Sequence, residues 1–130
     1  MHPFEKLTTT LAAFTPLATD ETNAIHVIAN IQVFNKGEFF TREGEICQRV
    51  GFVTKGIFRV YHLHESKEVT NYFNVELRNP FVASFSSFLK AEPSKEFVMA
   101  IEDAELVMIA KEDLLNLYKK YHAANPFWCL

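Results

Sequence analysis

The chain has 130 residues, 48% of them hydrophobic and 22% charged, enough to bury one sizeable core but little more. Its net charge of -3 and pI near 5.9 exclude a surface that grips phosphate backbones, which needs clustered Lys and Arg. The first fourteen residues lack the basic start and apolar run of a signal peptide, and no stretch approaches the roughly 20 apolar residues that span a bilayer. A single cytoplasmic domain with no membrane contact is the expectation.

Phe4, Leu7, Leu11 and Phe14 recur at helical spacing behind Pro3, so the chain should open with an amphipathic helix that ends before Pro16. Asp20 as N-cap, Glu21 in the first turn and Ala24, Ile25 and Ile28 on one face predict a second helix. From Ile31 the character changes to short β-rich runs: IQVFN, KGEFFTREGE, RVGFVTKG, IFRVYHLH and EVTNYFN. Gly37, Gly44 and Gly56 fall between them, where turns need positive φ. Behind Asn79-Pro80 comes a serine-flecked apolar segment, FVASFSSFLKAEPSKEF, and strands resume at EFVMAIED and AELVMIA, with Glu102-Asp103 as a turn. Seven or eight strands at this spacing predict a mainly β fold, a double-stranded β-helix or jelly roll over 31–110 flanked by N- and C-terminal helices.

KEDLLNLYKKYH returns to helical spacing, with Leu114, Leu117, Tyr118 and Tyr121 on a stripe. Pro126, Phe127, Trp128, Cys129 and Leu130 read as the severed start of a longer helix, so 111–130 is taken as the beginning of a C-terminal helical segment. The thirteen Phe imply a buried aromatic cluster. Two cysteines, Cys47 and Cys129, give neither a disulfide framework nor a zinc spacing and read as small hydrophobes.

Lys36-Gly37-Glu38, Glu43-Gly44-Glu45 and Lys55-Gly56, followed by KEVTNYF and EDAELVMIAKEDLLNLY, resemble the sensor domain of Crp/Fnr family bacterial transcription regulators. The resemblance covers roughly Ile31 to Tyr121 and implies the cyclic-nucleotide-binding-like fold. It also implies a small-molecule effector, a homodimer through a long C-terminal helix, and DNA contact only through a helix-turn-helix domain that is absent from these 130 residues.

The serine-flecked segment lies where that family keeps its phosphate-binding cassette. There a Gly-Glu pair opens a short helix and an Arg-Ser or Arg-Thr pair grips the cyclic phosphate, an anion site at a helix N-terminus backed by a guanidinium fork. In this chain the Gly-Glu positions fall at Ala83 and Ser84, and the Arg-Ser positions at Ser94 and Lys95. Two charge-assisted hydrogen bonds at about 1.5 to 3 kcal/mol each are thereby missing. That is two or more orders of magnitude in affinity, which argues against tight cyclic AMP binding. Ser84 is expected to cap the short helix, with the amides of Phe85, Ser86 and Ser87 turned outward and Lys95 as a point charge for a cyclic nucleotide or another small anion. The competing reading is purely structural: Ser84 caps, Phe81, Phe85 and Phe88 pack, and Lys95 is solvated beside Glu96.

Two other classes compete. Gly56, His62-x-His64 and Glu68 are spaced like the first motif of the cupins, metal-binding jelly rolls in which paired imidazoles and a carboxylate ligate one ion. Val75 stands where that motif has glycine, and no second motif follows. His2 and His26 carry no signal. The second competitor is a stand-alone β-roll that serves only as a dimerisation scaffold. No nucleophile elbow, Walker loop, dinucleotide fingerprint or zincin helix occurs, so no enzyme is expected.

Overall fold

A computed structural model describes residues 2–13 and 16–123. Its first helix, α1 (Pro3–Ala12), starts on Pro3, whose fixed φ suits the first helical position, and the His2 ring nitrogen Nδ1 accepts from the Phe4 amide at 3.2 Å. Helix α2 (Thr19–Ile28) begins two residues earlier than an Asp20 cap would allow. Ala18 is the N-cap, and Glu21 reaches back to accept from the Ala18 amide at 3.0 Å, so Asp20 sits inside the first turn. The expected N-cap is therefore corrected from Asp20 to Ala18. Phe14 and the terminal Pro126, Phe127, Trp128, Cys129 and Leu130 lie outside the described residues.

Eight strands follow: β1 (Ala29–Phe34), β2 (Phe39–Thr41), β3 (Arg49–Lys55), β4 (Phe58–His64), β5 (Lys67–Asn74), β6 (Phe81–Val82), β7 (Phe97–Ala100) and β8 (Ala104–Ala110). A short helix, α3 (Phe85–Lys90), interrupts them, and α4 (Lys111–Tyr121) closes the order. All pairings are antiparallel, in two four-stranded sheets ordered β1-β8-β3-β6 and β2-β7-β4-β5. This is the mainly β roll that the number and spacing of the β-rich runs predict, with helices flanking it.

Strand β8 shows how one run serves two cores. Leu106 and Met108 point between the sheets, where they join Phe34, Phe40, Phe58, Val60 and Val98. Val107 and Ile109 point the other way, onto Leu7 of α1, Ile25 of α2, and Leu117 and Tyr121 of α4. Both faces are covered, so the strand reads as an unbroken apolar run rather than an alternation. Each such side chain contributes about 1.5 to 3 kcal/mol when fully buried.

Gly37, Gly44 and Gly56 have φ of +89°, +90° and +83°, as expected of their positions between strands. The β4–β5 connection is tighter than an Glu65-Ser66-Lys67 turn: only Glu65 and Ser66 form it, both at positive φ, and Lys67 already pairs with His64. Two elements bear on the site. Strand β6 is two residues long and pairs with Gly51 and Phe52 of β3, which fixes the entry to α3. Helix α3 ends on Ala91 at φ 56°, a left-handed terminator, and the chain then runs through Pro93 to β7.

Candidate functional site

The segment β6–α3–β7 runs as strand, short helix and strand, with β6 paired to β3, β7 paired to β2 and β4, and Val82, Ala83 and Phe88 packed into the core between the sheets. Ala83, Ser84, Ser87 and Ser94 are buried, Phe85 is partly exposed, and Ser86 and Lys95 face solvent. The structure thus brings Ser84 and Ser94 together and leaves Lys95 outside, with no ion pair to it among the described residues.

Ser84 holds the N-cap position of α3, as expected, but its side chain does not supply the capping hydrogen bond. Ser84 Oγ lies 2.7 Å from Ser94 Oγ, with the two residues 1% and 3% exposed. The reason lies in proton accounting. Ser94 Oγ donates to the Glu96 carbonyl at 2.8 Å and accepts from the Glu96 amide at 3.1 Å, so its single proton is spent. Ser84 Oγ has two acceptors in reach, Ser94 Oγ and Glu96 Oε1, so its proton too is engaged inside the chain and neither hydroxyl keeps one for a ligand. Ser87 is equally committed: its hydroxyl donates to the Glu92 carbonyl and accepts from the Cys47 amide at 2.8 Å, stitching α3 to the loop before β3.

A second polar chain crosses from the roll to this pair. His62 Nδ1 lies 2.7 Å from Asn71 Oδ1, and Asn71 Nδ2 donates to Glu96 Oε2 at 2.8 Å. The acceptor at Asn71 makes His62 Nδ1 the protonated nitrogen of that ring. Glu96 Oε1 stands 3.5 Å from Ser84 Oγ. Burial raises the pKa of Tyr72, and the Glu96 charge raises it further. Asn71 and Glu96 carried no signal in the sequence beyond their polarity, because they meet only when β5 and the turn before β7 close on each other.

The cupin-like constellation does not assemble. Antiparallel pairing sets Glu68 opposite Leu63 and so on the other face of the hairpin from His62 and His64. Its carboxylate takes Arg59 Nη1 at 2.7 Å, while His62 is held by Asn71. Among the described residues no three His, Cys, Asp or Glu side chains converge as a metal site would require.

Helix α3 is also tied to α4. The Lys111 ammonium donates to the Phe88 carbonyl and lies 5.3 Å from the centre of the Phe88 ring. A cation on the last carbonyls of a short helix satisfies groups that have no partner inside it. Lys111 was invisible as a site residue, since a lysine opening a helix reads as solvated. Two open clefts of about 390 and 370 Å³ flank the Ile46–Gln48 loop, and neither is lined by Ser84, Ser94 or Glu96. No described helix is long and apolar enough to cross a membrane.

An eight-stranded roll closed by a strand, short helix and strand is the architecture of regulatory domains that enclose a small molecule. The chain belongs to the cyclic nucleotide-binding domain family, whose pattern it matches over residues 31–121. Solved structures agree on the fold. The sensor domain of the transcriptional regulator DNR from Pseudomonas aeruginosa superposes with a TM-score of 0.76 at 16% identity, over 97% of this chain and 84% of that one. A cyclic nucleotide-binding domain from Methylobacillus flagellatus gives 0.78 at 11% identity, over 92% and 68%. The Thermus thermophilus catabolite activator protein gives 0.70 at 22% identity over 89% of this chain, which spans only 52% of that protein. No curated protein matches the sequence.

Proposed function

We propose that the chain is the ligand-sensing regulatory domain of a Crp/Fnr-type transcription regulator, with a cassette that has lost tight cyclic AMP binding. The observation that carries this reading is the Ser84–Ser94 pair. At the positions aligned with the family's Glu and Arg stand two buried serines whose protons are already used inside the chain. A cyclic phosphate would find no guanidinium fork and no spare hydroxyl proton there, and would have to break existing hydrogen bonds to obtain one.

The effector, a cyclic nucleotide bound weakly or another small molecule, acts by population shift: it favours one position of α3 and thereby one position of α4. The Lys111 contact to Phe88 supports such coupling, since α3 cannot move without breaking it or carrying α4 along. Helix α4 and the residues after it then set the geometry of a homodimer, and DNA is contacted by a domain beyond this chain. We assign the chain no reaction. The test is DNA binding by the whole regulator across a panel of cyclic nucleotides and other small acids and polar metabolites, alongside thermal shift of the 1–130 domain. A ligand at a hundred times its dissociation constant adds about 2.7 kcal/mol of stability. DNA binding that is the same with every compound and with none would rule out the sensor reading.

A further inference from the structure

We infer that Glu96 decides which charge the cassette admits: its carboxylate is the chain's own occupant of the cassette, set against the Ser84–Ser94 pair so that phosphate esters are turned away. This rests on the reading of the domain as a sensor and names the residue that sets its selectivity.

Three observations converge on Glu96. Its carboxylate is positioned rather than loose, because Asn71 Nδ2 holds Oε2 at 2.8 Å and His62 in turn orients Asn71. It stands at the serine pair, with Oε1 3.5 Å from Ser84 Oγ, while its own amide and carbonyl both engage Ser94 Oγ. Among the described residues it has no cationic partner: the ion pairs are Lys6–Glu76, Lys55–Glu105, Arg59–Glu68 and His64–Glu65. Lys95, its neighbour in sequence, is exposed and forms none of these pairs. The negative charge is therefore not neutralised by a salt bridge, and its influence reaches Tyr72 on β5.

The chemistry follows from one residue doing two things. The Glu96 carbonyl accepts from Ser94, and Ser84 has Ser94 Oγ and Glu96 Oε1 as its acceptors, so both hydroxyl protons are engaged within these three residues and neither is left as a donor. The Glu96 side chain then places a full negative charge at the spot where a phosphate would seek those donors. A ligand that succeeds here either carries no negative charge at that end or brings hydrogen-bond donors for Glu96 Oε1.

The substitution Glu96→Gln isolates the charge, because it keeps the size of the side chain and an oxygen for the Asn71 amide. Binding of cyclic AMP, inorganic phosphate and uncharged adenosine is measured by calorimetry and thermal shift on the wild-type chain and the variant. Two unit charges about 4 Å apart, screened as in water or as near a protein surface, differ by about fivefold to several hundredfold in affinity. Cyclic AMP and phosphate should tighten on Glu96→Gln by a factor in that range, while adenosine stays unchanged. Glu96→Ser serves as a second variant if the first folds poorly. Titration of the tyrosines reports the position of the charge independently: the Tyr72 midpoint should fall in Glu96→Gln. A folded variant that binds cyclic AMP no better than wild type, or one in which adenosine gains as much as cyclic AMP, overturns the inference. If Glu96→Gln gains nothing while another compound still alters DNA binding by the whole regulator, Glu96 loses its role and the sensor reading stands. If the variant gains phosphate binding and DNA binding ignores every effector, the sensor reading falls and the role of Glu96 stands.

Discussion

Two glycines with nearly the same backbone angle should respond very differently to alanine. Gly44 and Gly56 have φ of +90° and +83°, so a Cβ at either forces an L residue into the left-handed region at a cost of about 1 to 2 kcal/mol. At Gly44 nothing lies within 4 Å of the added atom, and the cost ends there. At Gly56 the Cβ would meet the Asp103 carbonyl oxygen at 2.6 Å and the Ala104 Cα and Cβ at 2.7 Å. Two of those atoms are backbone and the third is the Cβ fixed to it, at the opening of β8, which is locked between β1 and β3, so the overlap is relieved only by shifting a central strand. Overpacking of that kind adds about 1 to 3 kcal/mol. Gly56→Ala should therefore cost about 2 to 5 kcal/mol against about 1 to 2 for Gly44→Ala. At roughly 2.1 cal/mol/K of unfolding entropy per residue, a chain of this length converts 3 kcal/mol into about 11 °C of melting temperature. Calorimetric melting of both variants beside the parent is the assay. Equal melting temperatures would mean that the approach of the 55–57 turn to Ala104 is wrong, and with it the way the roll closes.

Other outcomes follow from the polar groups. In a double-mutant cycle, Ser84→Ala and Ser94→Ala should each lose about 1 to 3 kcal/mol in urea unfolding, the cost of a stranded buried group, and the double variant should lose clearly less than the sum. Additive losses would show that the hydroxyls are not paired. Asn74 is fully buried and its amide donates to the carbonyls of Asn79 and Phe81, both at 2.9 Å, so Asn74→Ala should cost about 2 to 4 kcal/mol and loosen β6. Hydrogen exchange at Val82 checks the location of that loss. Burial and then Glu96 raise the Tyr72 pKa above its ordinary value of 10.0, so the folded state holds the phenol proton more tightly than the unfolded state does. That stability is complete below about pH 10 and is lost as pH climbs through the folded value. Tyr72→Phe should flatten the alkaline decline of a denaturation curve, and an unchanged decline would place Tyr72 in open solvent.

The roll was legible because its signals are local. Glycines at the strand junctions, alternation along β4 and the doubly apolar β8 each announce themselves within a few residues. Strand β6 escaped because two residues carry no period, and it exists only where Gly51 and Phe52 offer an edge. The helix start at Ala18 escaped because a carboxylate three residues on can replace a capping side chain. Family spacing singled out Ala83, Ser84, Ser94 and Lys95 as candidates, but it said nothing of how they are wired. The Ser84 hydroxyl looked like a capping group because serines before helices usually supply one. Its actual partner, ten residues away, becomes available only when the turn at Pro93 brings Ser94 back. Asn71 and Glu96 are 25 residues apart and His62 and Asn71 sit on facing strands, so no window of sequence contains the network.

Cys47 has a practical consequence. Its thiol is 3% exposed, donates to the Arg49 carbonyl at 3.3 Å, and its amide is held by Ser87 of α3. So buried a sulfur reacts with an alkylating reagent only when the structure around it opens, which gives the chain a native stopwatch for excursions of the 42–48 loop that Ser87 ties to α3. With Cys129 replaced, the rate at which Cys47 becomes labelled measures how often the segment lifts, and an effector that locks α3 down would slow the clock.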